Sequence, residues 1–275
     1  MRLNKKTSVW TYAGAIALVL IYLLPIYVLV TMSLRTVQDI GSKLQFPRII
    51  NIGNYIAVFR EGTIWRGFAN SIILVVITCS VEIVFGALAA YGIARSKGRF
   101  AKYLRYGSMT IMMIPRVTLL VGTYSLMVKT KMVNTLWGLG LLLAATGMSA
   151  TMFFYVNFLS SIPRALDEAA TIDGASVLQT FFYIIMPQLK AITVTRIIVV
   201  ANGSWNQYLM PMYLLQDKSK HTIILQIKNA FSLSNGIPNV PKACALCVVG
   251  ILPVILLYLF LQRYIIEGQI DSSVK

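Results

Sequence analysis

Acidic residues are scarce in this chain, 9 Asp and Glu against 25 Lys and Arg, and it holds one histidine and three cysteines. Each shortage excludes something. With only 12% charged and 57% apolar residues and a mean hydropathy of +0.72, a 275-residue chain cannot be wrapped into a soluble domain. Three cysteines make no disulfide framework. Cys244 and Cys247 form a C-x-x-C inside an apolar run, with Ala245 and Leu246 between them and no second pair at zinc-site spacing. Together with Cys79 they read as small packing residues. His221 is the one histidine and stands in an outer loop, where a solitary imidazole reads as a solvated side chain and not as a base. There is no H-E-x-x-H, no G-x-S-x-G and no acid pair within one apolar run, so a membrane enzyme is excluded and no cofactor is implied. A G-x-x-x-x-G-K-[ST] sequence is also missing, and with it the backbone nest that cradles ATP phosphates. The net charge of +16 invites nucleic acid as a partner. The cations, however, sit between apolar runs rather than in one stripe with interleaved aromatics, which fits membrane anchoring and no nucleic acid.

What the chain does have is long apolar runs. Six reach membrane length, Val9 to Met32, Ala69 to Ala94, Tyr106 to Val128, Thr135 to Phe158, Leu189 to Leu215 and Ala243 to Tyr264, against a need for about 20 residues per spanning helix. They predict an all-α, polytopic membrane protein, with residues 1–275 as one integral membrane domain. The first run exceeds the roughly 7 to 15 residues of a signal-peptide core and lacks a small-residue cleavage site, so it reads as an uncleaved helix. Arg2, Lys5 and Lys6 before it, and Arg95, Lys97, Arg99, Lys102 and Arg105 after the second run, carry no acid among them and predict a cytoplasmic face there. An even number of spans then places both termini, and the segment between the fourth and fifth runs, in the cytoplasm.

That segment, residues 163–187, carries the most information. Pro163 suits a first helical turn, Arg164 to Ile172 reads as a short helix, and Asp173-Gly174 supplies the left-handed stop. Ser176 and Gln179 have capping-box spacing, Val177, Phe181, Ile184 and Ile185 share one side, and Pro187 restarts the chain. Asp167, Glu168 and Asp173 offer carboxylates to a basic partner, while Ala169, Ala170 and Ala175 keep a flat shoulder for close approach.

Glu168-Ala169-Ala170 followed by Asp173-Gly174 and an apolar helix ending at Pro187 resembles the EAA loop of ABC importer permeases. The resemblance extends to Asn54-Tyr55, to Tyr91-Gly-Ile-Ala-Arg95, to Pro115, to Asn134-Thr135-Leu-Trp137 and to Trp205-Asn206, which together look like the carbohydrate branch, of the maltose type. It implies that 163–187 is a cytoplasmic coupling hairpin seated in a groove of an ATPase subunit. It further implies a second homologous permease, two cytoplasmic ABC ATPase subunits and an extracytoplasmic solute-binding protein that delivers sugar to outer loops such as Ser33 to Phe68 and Gln216 to Lys242. It implies the cell membrane of a prokaryote as the setting. Arg116 and Lys190 depart from the family's usual small residue and second proline. Lys190 predicts an entry into the fifth span straighter than in relatives.

Inside the spans, Asn202, Trp205, Asn206 and Leu209 fall on one helical face with Tyr208 beside it, and Thr146 and Ser149 add hydroxyls on the fourth. Such groups suit a neutral polyol, and they equally serve as helix-to-helix glue. Glu82 and Arg196 are costly in hydrocarbon. Glu82 is expected to make an intersubunit or interhelical polar contact and Arg196 to snorkel to the interface, with substrate handling as the alternative for both. The functional expectation is half of a sugar pathway, for an oligosaccharide, worked by alternating access. The rival is an ATP-independent secondary transporter or channel, which would want inverted repeats or a relay of buried acids.

Overall fold

The structure, a computed structural model, describes residues 9–39, 41–232 and 239–273, the last part beyond 262 as helical backbone only. Arg2, Lys5 and Lys6, on which the expected orientation draws, lie outside the described residues, as do 233–238 of the expected outer loop. The described residues hold helices and no strand. Among the described residues four helices are long and apolar enough to cross a membrane, and up to six spans result if two bent pairs each count as one. The chain clusters into two compact units.

The first unit comprises residues 1–65 and 226–252. Its α1 (Val9–Ser33) has no polar face and leaves Trp10 and Tyr22 exposed at 84% and 76%, as an apolar helix does when lipid or another chain must cover it. The last carbonyls of α1 need donors. Asn54 on α2 (Gly53–Arg60) supplies them, its amide lying 2.8 Å from the carbonyl oxygens of both Ser33 and Arg35, while the Tyr55 hydroxyl sits 2.6 Å from Ser33 Oγ. Buried Arg35 folds the following loop around itself by donating to the carbonyls of Gly41, Ser42 and Gln45. Glu61 and Lys242 form an ion pair at the start of α13 (Val240–Ser273).

The second unit comprises 66–225 and the chain from 253 on. Helix α3 (Thr63–Arg95) runs through most of it, and α6 (Leu136–Leu159) starts at Thr135, whose side chain accepts from the Gly138 amide at 3.2 Å. Between them come α4 (Arg99–Met112), a 3-10 turn (Arg116–Leu119) and α5 (Leu120–Lys129). The third apolar run was expected as one span, Tyr106 to Val128; the chain instead bends by 95° between Met112 and Arg116. Pro115 is the cause, since it bars the helical conformation from the residue before it and has no amide to donate.

After α6 come α7 (Ala165–Ile172) and a continuous helical run made of α8 (Val177–Gln179), a π-helical stretch (Thr180–Ile185) and α9 (Met186–Gln188). That run meets α10 (Lys190–Trp205) at 82°. Pro187 and the Leu189 backbone, at φ −87° and ψ 7°, make the corner. The fifth apolar run is also split, because α10 stops at Trp205 and α11 (Leu209–Leu214) begins anew. A 3-10 turn (Lys218–Lys220) and α12 (Ile223–Ala230) complete the chain before α13. One apolar cluster gathers Ala87 and Tyr91 of α3, Tyr155 and Leu159 of α6, and Phe181, Ile185 and Leu189. It seats the run after α7 on the ends of α3 and α6. A second gathers Leu74, Met127, Leu139, Leu143, Met210 and Leu214 at the other end.

Candidate functional site

The segment 163–187 folds as two short helices around a turn that is held at both ends. Arg164 is the N-cap of α7, and Asp167 and Glu168 occupy its first turn, where the helix dipole favours negative charge. Asp173 ends it, Gly174 takes φ +79°, and the Ala175 amide reaches back to the Ala170 carbonyl at 2.9 Å. Ser176 and Gln179 then form the complete capping box, each side chain accepting from the other's backbone amide. A left-handed residue between two caps leaves the turn little freedom.

The carboxylates divide in a way the sequence reading did not foresee. Asp167 was expected to face outward, yet it turns inward. Tyr91 donates its hydroxyl to Asp167 Oδ1 at 2.5 Å, and the Arg95 guanidinium pairs with Oδ2 at 2.9 Å. Arg95 also donates to the Ile162 carbonyl at 3.1 Å, and Arg164 donates to the Ala94 carbonyl at 3.2 Å. The Tyr-Gly-Ile-Ala-Arg end of α3 is thereby latched to α7 by its first and last residues. Ala170 is buried too, and Ala175 is half-buried, so the flat shoulder is narrower than expected. What remains outward is Glu168, Ala169, Asp173 and Gly174, with Pro187 exposed at the far end.

Beside these stand three apolar side chains that sequence reasoning assigned elsewhere or passed over, Ile172 at 86% exposure, Val177 at 71% and Leu178 at 60%. Val177 was placed on the same side as Phe181, Ile184 and Ile185. In the structure Phe181 and Ile185 are buried and Val177, the first residue of α8 next to the exposed turn, is not. The buried set is Phe181, Ile185 and Leu189, spaced by four.

A second arrangement lies deeper, where α3, α6 and α10 meet. Glu82 and Arg196, at 3% and 5% exposure, are an interhelical pair with Arg196 Nη2 at 3.2 Å from Glu82 Oε1. Thr151 completes it by donating to the same carboxylate oxygen while its own oxygen accepts from Arg196 at 2.7 Å. The guanidinium lies 5.0 Å from the Phe154 ring centre, a cation–π contact. Glu82 thus makes the interhelical contact expected of it. Arg196 does not snorkel, because a partner carboxylate and a hydroxyl on neighbouring helices satisfy it where it stands. Gly147 makes room for the pair, since a methyl group there would collide with the Glu82 carboxylate.

Next to this pair is a cavity of about 520 Å3 lined by Thr146, Ser149, Arg116, Gln207 and, from α5, Thr123, among apolar neighbours from α4, α6 and α11. A smaller one of about 210 Å3 shares Arg116, Leu143, Ala150 and Gln207 with it and reaches Glu82 and Arg196. The structure therefore brings together Thr146 and Ser149 from the predicted pathway set and adds Arg116 and Gln207, which break the apolar pattern beside Pro115 and after the Trp-Asn pair. The other members stand apart. Trp205 is buried against Phe68, ring centres 6.1 Å apart. Asn202 and Asn206 are exposed and bonded to each other at 2.8 Å, and the Tyr208 hydroxyl contacts Met212 Sδ at 2.9 Å. The expected stripe through Leu209 is no single face, because α10 ends before it. No group of three or more His, Cys, Asp or Glu that could hold a metal occurs among the described residues.

Comparison with known proteins adds to this geometry. Residues 82–269 match the profile of the family described as binding-protein-dependent transport system inner membrane component. The chain is 34% identical over 255 residues to the melibiose/raffinose/stachyose import permease protein MelC of Bacillus subtilis (strain 168), with 92% of each chain covered. It is 31% identical to the multiple sugar-binding transport system permease protein MsmG of Streptococcus mutans, over 97% of this chain and 96% of that one. In structure it resembles a chain from a bacterial ABC transporter involved in the import of the acidic polysaccharide alginate, with a TM-score of 0.79, 20% identity and 96% and 99% coverage.

Proposed function

The chain belongs to the family of binding-protein-dependent transport system inner membrane components, and from that premise we propose that it forms half of the translocation pathway of an ATP-driven importer for an oligosaccharide. It is a multi-pass permease subunit and not an enzyme; in such systems the ATPase is a separate subunit. The observation that carries the solute is the kinship to MelC and MsmG, both sugar permeases over nearly their whole lengths. The partners of this reading are a second, homologous permease, two cytoplasmic ATPase subunits and an extracytoplasmic solute-binding protein, with both termini of this chain in the cytoplasm.

In this reading the hairpin of α7 and α8 is the coupling element. Glu168, Ala169, Asp173 and Gly174 face the ATPase, Ile172, Val177 and Leu178 fill an apolar groove on it, and Pro187 sets the corner through which α9 pulls on α10. Alanines allow close approach, exposed aliphatic side chains anchor, and acids steer toward cations. Thr146, Ser149, Arg116 and Gln207 line the path, their hydroxyl, guanidinium and amide groups matching sugar hydroxyls. Asn202 and Asn206 stand outside these cavities with their amides exposed, and Trp205 and Tyr208 serve as packing support. The decisive experiment is uptake after ATP depletion with the proton and sodium gradients held constant. Uptake falls to background; sustained uptake would instead favour a secondary transporter or channel.

Motion of the hairpin reaches α3 through the latch of Asp167 with Tyr91 and Arg95. Asp167→Asn keeps the shape and removes the charge, and uptake is expected to fall about tenfold or more, the worth of one charge-assisted hydrogen bond of about 1.5–3 kcal/mol, while the subunits still co-purify. Exchanging the two charges, Asp167→Arg with Arg95→Asp, restores part of the uptake. Full uptake in Asp167→Asn removes the latch from the mechanism.

A further inference from the structure

Where α3 ends and α4 begins, a cavity of about 560 Å3 is walled by Lys97, Arg99, Lys102 and Arg105, with Ser96 and Ser160 beside them and no carboxylate in the wall. Among the described residues none of these four cations has an acid within 4.0 Å. Lys102 has only the Tyr106 ring, 5.9 Å from its ammonium, and Arg105 only the Asn157 amide oxygen at 3.1 Å. The 14-residue helix α4 starts in the same wall with Gly98 as its N-cap, which brings no side chain to the first free amides. Like charges gathered in a concavity repel one another and raise the local concentration of anions.

An adjoining cavity of about 460 Å3 shares Ile93, Ser96 and Ala101 with the first and continues over Gly92, Phe100, Leu104 and Met152. It is almost wholly apolar. The two together form a cationic chamber opening into a greasy slot, on a protein whose surroundings are lipid. A soluble anion would have no use for the slot, and a neutral lipid none for the cations.

We propose that this paired cavity is a binding site for one anionic phospholipid of the cytoplasmic leaflet, its phosphate held by Lys97, Arg99 and Lys102 and an acyl chain laid over Gly92. The site rests on the orientation proposed above and is independent of which solute is carried. Each Lys or Arg near an anionic headgroup is worth about fivefold in affinity, equivalent to about 1 kcal/mol, so removing three is expected to cost about a hundredfold.

The test counts lipids retained by the intact transporter, purified from nanodiscs of phosphatidylglycerol and phosphatidylcholine in equal parts, by native mass spectrometry. The unaltered protein keeps phosphatidylglycerol selectively. Lys97→Gln, Arg99→Gln and Lys102→Gln together abolish the selectivity. Gly92→Leu blocks the slot without touching a charge, its Cβ meeting nothing within 4 Å, and lowers phosphatidylglycerol retention by itself. Unchanged selectivity in the triple variant overturns the proposal. So does displacement by inorganic phosphate together with an inert Gly92→Leu, which marks a site for small anions. So does loss of the ATPase subunits from the triple variant with its lipid count intact, which assigns the cations to a protein interface. None of these readouts requires transport, so a wrong solute leaves the result standing.

Discussion

Glu82→Ala destabilises the protein by about 3–5 kcal/mol, because it leaves Arg196 charged and unpaired in the interior. The pair is held by three helices at once: Glu82 comes from α3, Thr151 from α6 and Arg196 from α10. Both ions are desolvated, so their attraction offsets a penalty already incurred, and removing one partner leaves that penalty in place. Gly147→Ala acts at the same spot by a different route, pushing the carboxylate off its partners. The measurement is the apparent Tm of the assembled transporter in mild detergent, where both variants melt well below the parent. The double change Glu82→Leu with Arg196→Leu recovers most of the loss, since an apolar pair of similar volume commonly matches or exceeds a buried ion pair. If that double variant melts normally and still transports, the pair is a strut; if it melts normally and does not transport, the charges take part in the path they border. A Glu82→Ala protein as stable as the parent would contradict the burial of the pair.

The second large effect is on uptake. Gly174→Val abolishes it, because φ +79° is open to glycine and costly for a β-branched residue, while the open space around the position means that nothing else in the fold is disturbed. The hairpin then meets its partner with the wrong turn. Gly174→Asn is the control, since asparagine tolerates the left-handed region, and it retains uptake in part. Glu168→Lys reverses the exposed charge at the first turn of α7 and opposes the helix dipole as well. Both Gly174→Val and Glu168→Lys are expected to lose solute-binding-protein-stimulated ATPase along with uptake, although the complex still reaches the membrane. Normal uptake in either one, at normal abundance, removes the hairpin from the coupling mechanism.

The caps of the hairpin were legible because capping is local. Ser176 with Gln179 and Asp173 with Gly174 bond within four residues of themselves, so spacing alone announces them. Long apolar runs are legible for a similar reason, as length and composition suffice. The direction of Asp167 was not legible, since its partners Tyr91 and Arg95 are 76 and 72 residues away. Nor was the fate of Arg196, which lies 114 residues from Glu82. An arginine near a helix end and one inside a bundle look alike until a carboxylate is placed beside it. The exposure of Val177 was hidden because it shares the four-residue spacing of buried Phe181, Ile185 and Leu189, and a period alone does not say how far along a face the bundle covers it.

Local chemistry written in the chain determined that this is a membrane protein of helices, where its turns and caps fall, and which segment to suspect, because those depend on neighbours a few residues apart and on the cost of hydrating apolar surface. Tertiary packing decided which acid faces outward, which arginine is paired, where two spans bend and which hydroxyls share a cavity, because each of these is settled by groups that the folded bundle alone brings within a few ångströms.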